Sequence, residues 1–300
     1  MAERTIGVTP PRVLAIGGTD SAGGAGLAAD LRALATCGVH GCVAVTAVTV
    51  QDTRGVTGVH TVPAATVAAQ IETVAADVGL GAAKTGMLAT SEIIAAIAAA
   101  CDRAGIGADG RTPFVVDPVA ASMSGDPLLA DDALDAYRTV LFPRATVITP
   151  NLDEVRLLVG IDVHDRAAQH EAARALHALG PRHVLVKGGH LREDLDVCVD
   201  VHYDGRTVTE LPGPRFTTGD THGSGDTMAA ALAAGLARGL PVPAALARAK
   251  HFVVEAVRHA YHLGAGHGPV SPLWAVRPWW EEPHRFRSDE RATAHLGNAT

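Results

Sequence analysis

Asp220-Thr221-His222-Gly223-Ser224-Gly225-Asp226-Thr227 runs directly into an alanine-rich apolar segment, residues 228–236. A turn of small residues that opens a helix leaves several backbone N–H groups without intrahelical partners. Those donors add to the positive end of the helix dipole. Such a corner binds anions, phosphates above all. Asp226 falls in the first turn, where a carboxylate is tolerated and can face whatever the amides hold. Amides for charge and a carboxylate for a proton suffice to move a phosphoryl group onto a hydroxyl. Taken alone, the stretch fits an ordinary loop and N-cap equally well.

The rest of the chain bounds the answer. Its 300 residues are 47% hydrophobic and 19% charged, the composition of a globular chain with ample material for a core. Aromatics are scarce at 4%, so that core is built from small aliphatics. A net charge of −7 argues against nonspecific binding to nucleic acid or to an anionic membrane. Cys37, Cys42, Cys101 and Cys198 are scattered without a CxxC pair, which speaks against structural zinc and for free thiols. The N-terminus shows no basic stretch followed by an apolar core, and the apolar run 93–100 is too short to span a bilayer. The expectation is a soluble, cytoplasmic protein.

Outward from the glycine turn, short apolar runs alternate with helical segments. Strands are expected at 12–17, 42–50, 82–85, 114–117, 146–149 and 183–187, and a hairpin at 197–203 and 206–211 around Asp204-Gly205. Helices are expected from Gly26 to about residue 36, then at 63–78, 91–104, 131–141, 152–159, 165–179, 225–238 and 243–262, with Ser91 capping the third. Near-continuous apolar strands alternating with helices imply a mainly parallel sheet covered on both faces. No composition shift divides the chain. Residues 1–11 read as a loose leader, 12–274 as one domain and 275–300 as an irregular, partly disordered tail.

In such a sheet, ligands bind beyond the carboxyl ends of the strands. Polar motifs recur there: GGTDSAGGAGLAADL (17–31), TAVTVQDTRGV (46–56), AAKTGML (82–88), VVDPV (115–119) with SGDPLL (124–129), ITPNLDE (148–154), VLVKGGHL (184–191) and THGSGDT (221–227). In this order, over residues 13–272, they resemble the ribokinase-like superfamily. Within it they resemble the hydroxymethylpyrimidine/phosphomethylpyrimidine kinases of thiamine biosynthesis. The resemblance implies a three-layer α/β/α domain, usually dimeric, that uses ATP and Mg²⁺. It implies phosphorylation of 4-amino-5-hydroxymethyl-2-methylpyrimidine on its alcohol, then of the monophosphate. Those kinases commonly carry Cys where Asp226 stands here, a departure that bears on the substrate and on the relative rates of the two steps. A pyridoxal or other B6-vitamer kinase is the alternative enzyme, and a non-catalytic pyrimidine-binding relative the alternative outside enzymes.

The roles follow from residue chemistry and resemblance together. Asp226 is expected to accept the hydroxymethyl proton, and the amides of Gly223, Ser224 and Gly225 to hold the transferring phosphate. Asn151 and Glu154, three apart at a helix start, can both face the phosphates. Glu154 suits Mg²⁺ held through water, because that ion keeps much of its hydration. Asp117, at a strand end, is a second candidate for the metal or phosphates, and Lys187 for ATP phosphates or a structural ion pair. The resemblance points to Asp30, Gln51 and Met87 for the pyrimidine. Gln51 offers an acceptor and two donors to an aminopyrimidine edge. Met87 offers an adaptable apolar face, or merely core packing. Gly17 and Gly18 let the backbone approach the ring. His190 is expected in a loop over the site as a gating residue, and the other histidines at surface or capping positions.

Overall fold

The computed structural model describes residues 8–107, 110–120, 132–191 and 196–276. In chain order it contains β1 (Arg12–Gly18), α1 (Gly26–Thr36), β2 (His40–Gln51), β3 (Val56–Thr61), α2 (Ala64–Asp77), β4 (Ala82–Thr85) and α3 (Ser91–Ala104). There follow β5 (Phe114–Val116), α4 (Ala133–Ala136), β6 (Val147–Ile148), α5 (Leu152–Val159), α6 (Arg166–His177) and β7 (His183–Val186). Last come β8 (Val197–Tyr203), β9 (Val208–Pro214), α7 (Ser224–Ala237) and α8 (Val242–Arg258). The nine strands form one sheet of order β3-β2-β1-β4-β5-β6-β7-β8-β9. Strands β2, β1, β4, β5, β6 and β7 are parallel, while β3, β8 and β9 add antiparallel edges. The motif SGDPLL, the start of the expected helix at 131, most of the leader and nearly all of the tail lie outside the described residues.

Alternation along the central strands builds two cores, because successive side chains point to opposite faces. Leu14, Ile16, Phe114, Val116, Val184 and Val186 face the core closed by α2 to α6. Val13, Val115, Val147 and Leu185 face the core closed by α7 and α8. Three layers, α/β/α, result. Helix α7 is buried on nearly every side from Thr227 to Leu236, as its unbroken apolar run requires. Its alanines let it lie close to α1 and α8 as well as to the sheet.

Several local expectations need correction. Helix α3 is capped by Thr90, whose hydroxyl accepts the Ile93 N–H at 3.2 Å; Ser91 is the first helical residue and turns its hydroxyl to Asp132. The expected helix at 131–141 is a single α turn followed by a π turn (Tyr137–Leu141) and a 3₁₀ turn (Phe142–Arg144). Helix α8 ends at Arg258, short of 262. Strand β3 has no counterpart among the strands the sequence predicts. All four cysteines are free, and burial pushes the Cys101 thiol up to about 12. Among the described residues no helix is long and apolar enough to cross a membrane.

Candidate active site

A cleft of about 640 Å³ opens at the carboxyl ends of the parallel strands, where the sheet order reverses at β1. Its walls include Gly18, Gln51, Met87, Asp117, Asn151, Glu154, Lys187, Gly223, Ser224, Gly225 and Asp226. Residues more than two hundred positions apart in the chain thus meet in one place.

Two loops interlock at its centre. Gly223 caps α7 with φ +77°, and a Cβ there would lie 2.1 Å from the Gly24 carbonyl oxygen. Only glycine fits so close an approach in that conformation. Gly26, with φ +55°, gives its N–H to Asp226 Oδ2 at 3.0 Å. The Ser224 N–H, expected in the phosphate cradle, donates to the Thr221 carbonyl at 3.1 Å inside the turn. The first-turn donors that follow, on Gly225 and Asp226, have no intrahelical partners by the geometry of any helix start.

Beneath Asp226 lies a buried charge cluster. Lys84, fully buried at the end of β4, places its ammonium 2.7 and 2.9 Å from the two Asp30 oxygens and 3.4 Å from Asp226 Oδ1. Burial disfavours that charge, yet Asp30, Asp226 and Asp117 together hold Lys84 above the ordinary lysine range. Asp30 therefore does not line the cleft, where it was expected beside the pyrimidine. Its carboxylate is buried and turned to Lys84, the counter-charge a buried ammonium requires.

On the other side of α7, Lys187 Nζ lies 2.8 Å from Asp117 Oδ1, which also accepts the Thr149 hydroxyl at 2.8 Å. Asp117 Oδ2 faces Gly225, where a Cβ would sit 3.6 Å away. Asn151 and Glu154 form a capping box on α5: the Glu154 N–H donates to Asn151 Oδ1 at 2.9 Å, and the Asn151 N–H to Glu154 Oε2 at 2.7 Å. The Asn151 side chain is thus engaged with its own helix. Burial pushes the Glu154 carboxyl up to about 7, against the Lys187 ammonium that holds it down.

Beside the ends of β1 and β4, the Met87 sulfur overhangs Gly18, 3.1 Å from where a Cβ would stand. The Thr49 hydroxyl donates to Gln51 Oε1 at 3.3 Å, and Gln51 Nε2 lies 3.5 Å from His222 Nε2. His222 is not a surface or capping residue. It is buried and binds Asp20 Oδ2 at 3.0 Å. Asp20 also accepts the N–H groups of Ala22, Gly24 and Ala25, each at 2.9 Å. Burial would raise the Asp20 pKa, but His222 and the Ala25 and Ala22 amides lower it. His190 lies exposed at the rim, its Nδ1 3.6 Å from Asp153. Sequence reasoning missed Lys84, Asp20 and His222. The one available signal was a lysine inside the apolar run Ala82-Ala83-Lys84-Thr85, which no soluble strand buries without a partner.

Fold and cleft together define the class: a ribokinase-like small-molecule kinase. Sequence comparison narrows it, since the phosphomethylpyrimidine kinase family profile matches residues 20–271, and the chain belongs to that family. A relative from Mycobacterium tuberculosis, a hydroxymethylpyrimidine/phosphomethylpyrimidine kinase, is 58% identical over 270 residues, covering 90% of this chain and 96% of the relative. The thiamine biosynthesis bifunctional protein of Geobacter sulfurreducens is 43% identical over 264 residues, 88% of this chain and 52% of that longer protein. Among solved structures, an ADP complex of Bacillus subtilis pyridoxal kinase superposes with a TM-score of 0.81 at 34% identity, covering 89% of this chain and 99% of that one.

Proposed function

We propose that the protein uses ATP to phosphorylate 4-amino-5-hydroxymethyl-2-methylpyrimidine and then its monophosphate, giving the pyrimidine diphosphate for thiamine biosynthesis. The observation that carries this reading is the cleft itself. It holds a carboxylate, Asp226, beside first-turn amides of a buried helix that have no intrahelical partners, with Gln51 and Met87 also in its walls. The relative that is 58% identical bears the pyrimidine kinase name, whereas the pyridoxal kinase is 34% identical, which favours the pyrimidine over the B6 vitamers.

In this reading Gln51 meets the aminopyrimidine edge and Met87 its face. The hydroxymethyl group reaches Asp226, which takes the proton as the oxygen attacks. ATP supplies the phosphoryl group. The amide of Gly225 and the Lys187 ammonium stabilise the charge that moves toward the leaving diphosphate. Asp117 and Glu154 offer two carboxylates on the same side of the cleft. Two donors suit Mg²⁺, which keeps several waters and takes phosphate oxygens for the rest. Among the described residues no group of three or more His, Cys, Asp and Glu is arranged to hold a metal. We further propose a cytoplasmic homodimer, for which sedimentation at the mass of two chains is the test.

Incubation with ATP and Mg²⁺ and either the aminopyrimidine alcohol or pyridoxal, followed by mass analysis, tests the function. The aminopyrimidine is expected to gain one and then two phosphates. Efficient turnover of pyridoxal with none of the aminopyrimidine would overturn the assignment.

A further inference from the structure

We propose that the Asp226 carboxylate has opposite effects on the two phosphorylations: it assists transfer to the alcohol and hinders transfer to the monophosphate. The inference rests on the functional reading above and adds to it a reason for the residue at 226.

The argument is one of charge and proton count. Four carboxyl groups, Asp30, Asp117, Glu154 and Asp226, surround the centre, burial pushing Asp30 and Glu154 up to about 7, and two ammonium groups, Lys84 and Lys187, lie among them. Each lysine already has a closer carboxylate than Asp226. Lys84 sits 2.7 Å from Asp30 against 3.4 Å from Asp226, and Lys187 sits 2.8 Å from Asp117. The Asp226 charge is thus met by two ammonium groups, each held closer by another carboxyl group, and by the Gly26 N–H at 3.0 Å. Its side chain is partly exposed, 15%, on the cleft.

An alcohol acceptor needs what Asp226 provides. The hydroxyl oxygen forms a bond to the γ-phosphorus, and the bond from that phosphorus to the β–γ bridging oxygen breaks. ADP leaves with that electron pair, and the hydroxyl proton passes to Asp226 and then to solvent. The monophosphate acceptor needs no such base. Its second proton leaves near pH 6, so at neutral pH the attacking phosphate oxygen is already bare. A P–O–P bond forms, the same phosphorus–oxygen bond breaks, ADP leaves, and no proton is taken from the nucleophile. What remains of Asp226 in that step is a negative charge facing a dianion. A thiol at the same position would be mostly neutral near pH 7, since an ordinary cysteine ionises near about 8.5.

The test compares Asp226→Asn and Asp226→Cys with wild type on each acceptor separately, with ATP-analogue binding and melting temperature as folding controls. Alcohol phosphorylation by Asp226→Asn is expected to fall by about two to four orders of magnitude, the usual worth of a general base. Phosphorylation of the monophosphate by the same variant is expected to rise about fivefold or more, the worth of one like-charge contact even in high dielectric. Asp226→Cys is expected to match Asn on the monophosphate and exceed it on the alcohol, with a rise toward alkaline pH. Equal losses on both acceptors in either variant, or no gain on the monophosphate, would overturn the inference. Failure of the functional reading is distinguishable, because the wild type would then phosphorylate neither acceptor.

Discussion

Lys84 has no access to solvent, and its ammonium is held between Asp30 and Asp226. Removing one member of a buried pair leaves an uncompensated charge, at a cost of about 3–5 kcal/mol, whereas replacing both by apolar groups is often neutral. Lys84→Met should therefore lower stability by that amount in denaturant titration, and the double variant Lys84→Met/Asp30→Leu should recover most of it. A double variant as unstable as the single would mean that Asp30 is not the partner that matters. A second residue-level prediction concerns the seam of β7 and β8, where His183 Nδ1 lies 3.1 Å from His202 Nε2. Burial, then the neighbouring His183, lowers His202 from 6.5 to about 4, while Asp204 opposes the shift. The folded state thus binds fewer protons than the unfolded state between those values. Its contribution is complete above pH 6.5 and is lost as pH falls toward 4, by at most about 3 kcal/mol. His202→Gln should flatten that part of the melting-temperature profile, and a profile parallel to wild type would refute the assignment. None of these pairings was legible in the sequence. Lys84 and Asp30 stand 54 positions apart and His222 and Asp20 stand 202 apart, and no local pattern records such a contact.

At the scale of elements, the helix starts carry the predictions. Thr90 is the N-cap of α3, so Thr90→Ala should cost about 1 kcal/mol, and Ser91→Ala clearly less. The reverse order would restore Ser91 as the cap. At α7, Gly223→Ala forces a side chain into left-handed backbone and onto the Gly24 carbonyl. It should destabilise by more than about 1 kcal/mol and lower phosphoryl transfer. Gly219→Ala in the same loop meets no atom within 4 Å and should be neutral in both. If Gly223→Ala also proves neutral, the two loops do not interlock as described. The central strands and most helices were readable because their apolar periods are long and buried. Strand β3 was not, because Val56–Thr61 lies at the sheet edge and is largely exposed, with Gly58 and His60 interrupting any apolar alternation. The distorted turns after α4 are not legible in the sequence, because Tyr137, Leu141 and Phe142 keep a helix-like apolar spacing while the hydrogen-bond spacing changes.

For the whole molecule, the motif order along the chain becomes a ring of loops around one cleft, and that convergence is what the sequence foreshadowed best. Of the expected site residues, Gly18, Gln51, Met87, Asp117, Glu154, Lys187, Gly223, Gly225 and Asp226 line the cleft. Asn151 and Ser224 line it too, but the Asn151 and Glu154 side chains are engaged with each other's backbone and the Ser224 amide with its own turn, and Asp30 lies beneath the cleft. These departures share a cause: a buried polar group near a helix end is satisfied by the nearest donor, acceptor or counter-charge within the protein. The central claim, that the α7 corner and Asp226 form the phosphoryl-transfer centre, is tested most directly by a crystal structure with the aminopyrimidine alcohol and a non-hydrolysable ATP analogue bound together. The account predicts the hydroxymethyl oxygen within hydrogen-bond reach of Asp226, the terminal phosphate on the Gly225 amide and Gln51 on the pyrimidine edge. A hydroxymethyl group directed away from Asp226, with the phosphates seated elsewhere than the start of α7, would contradict it.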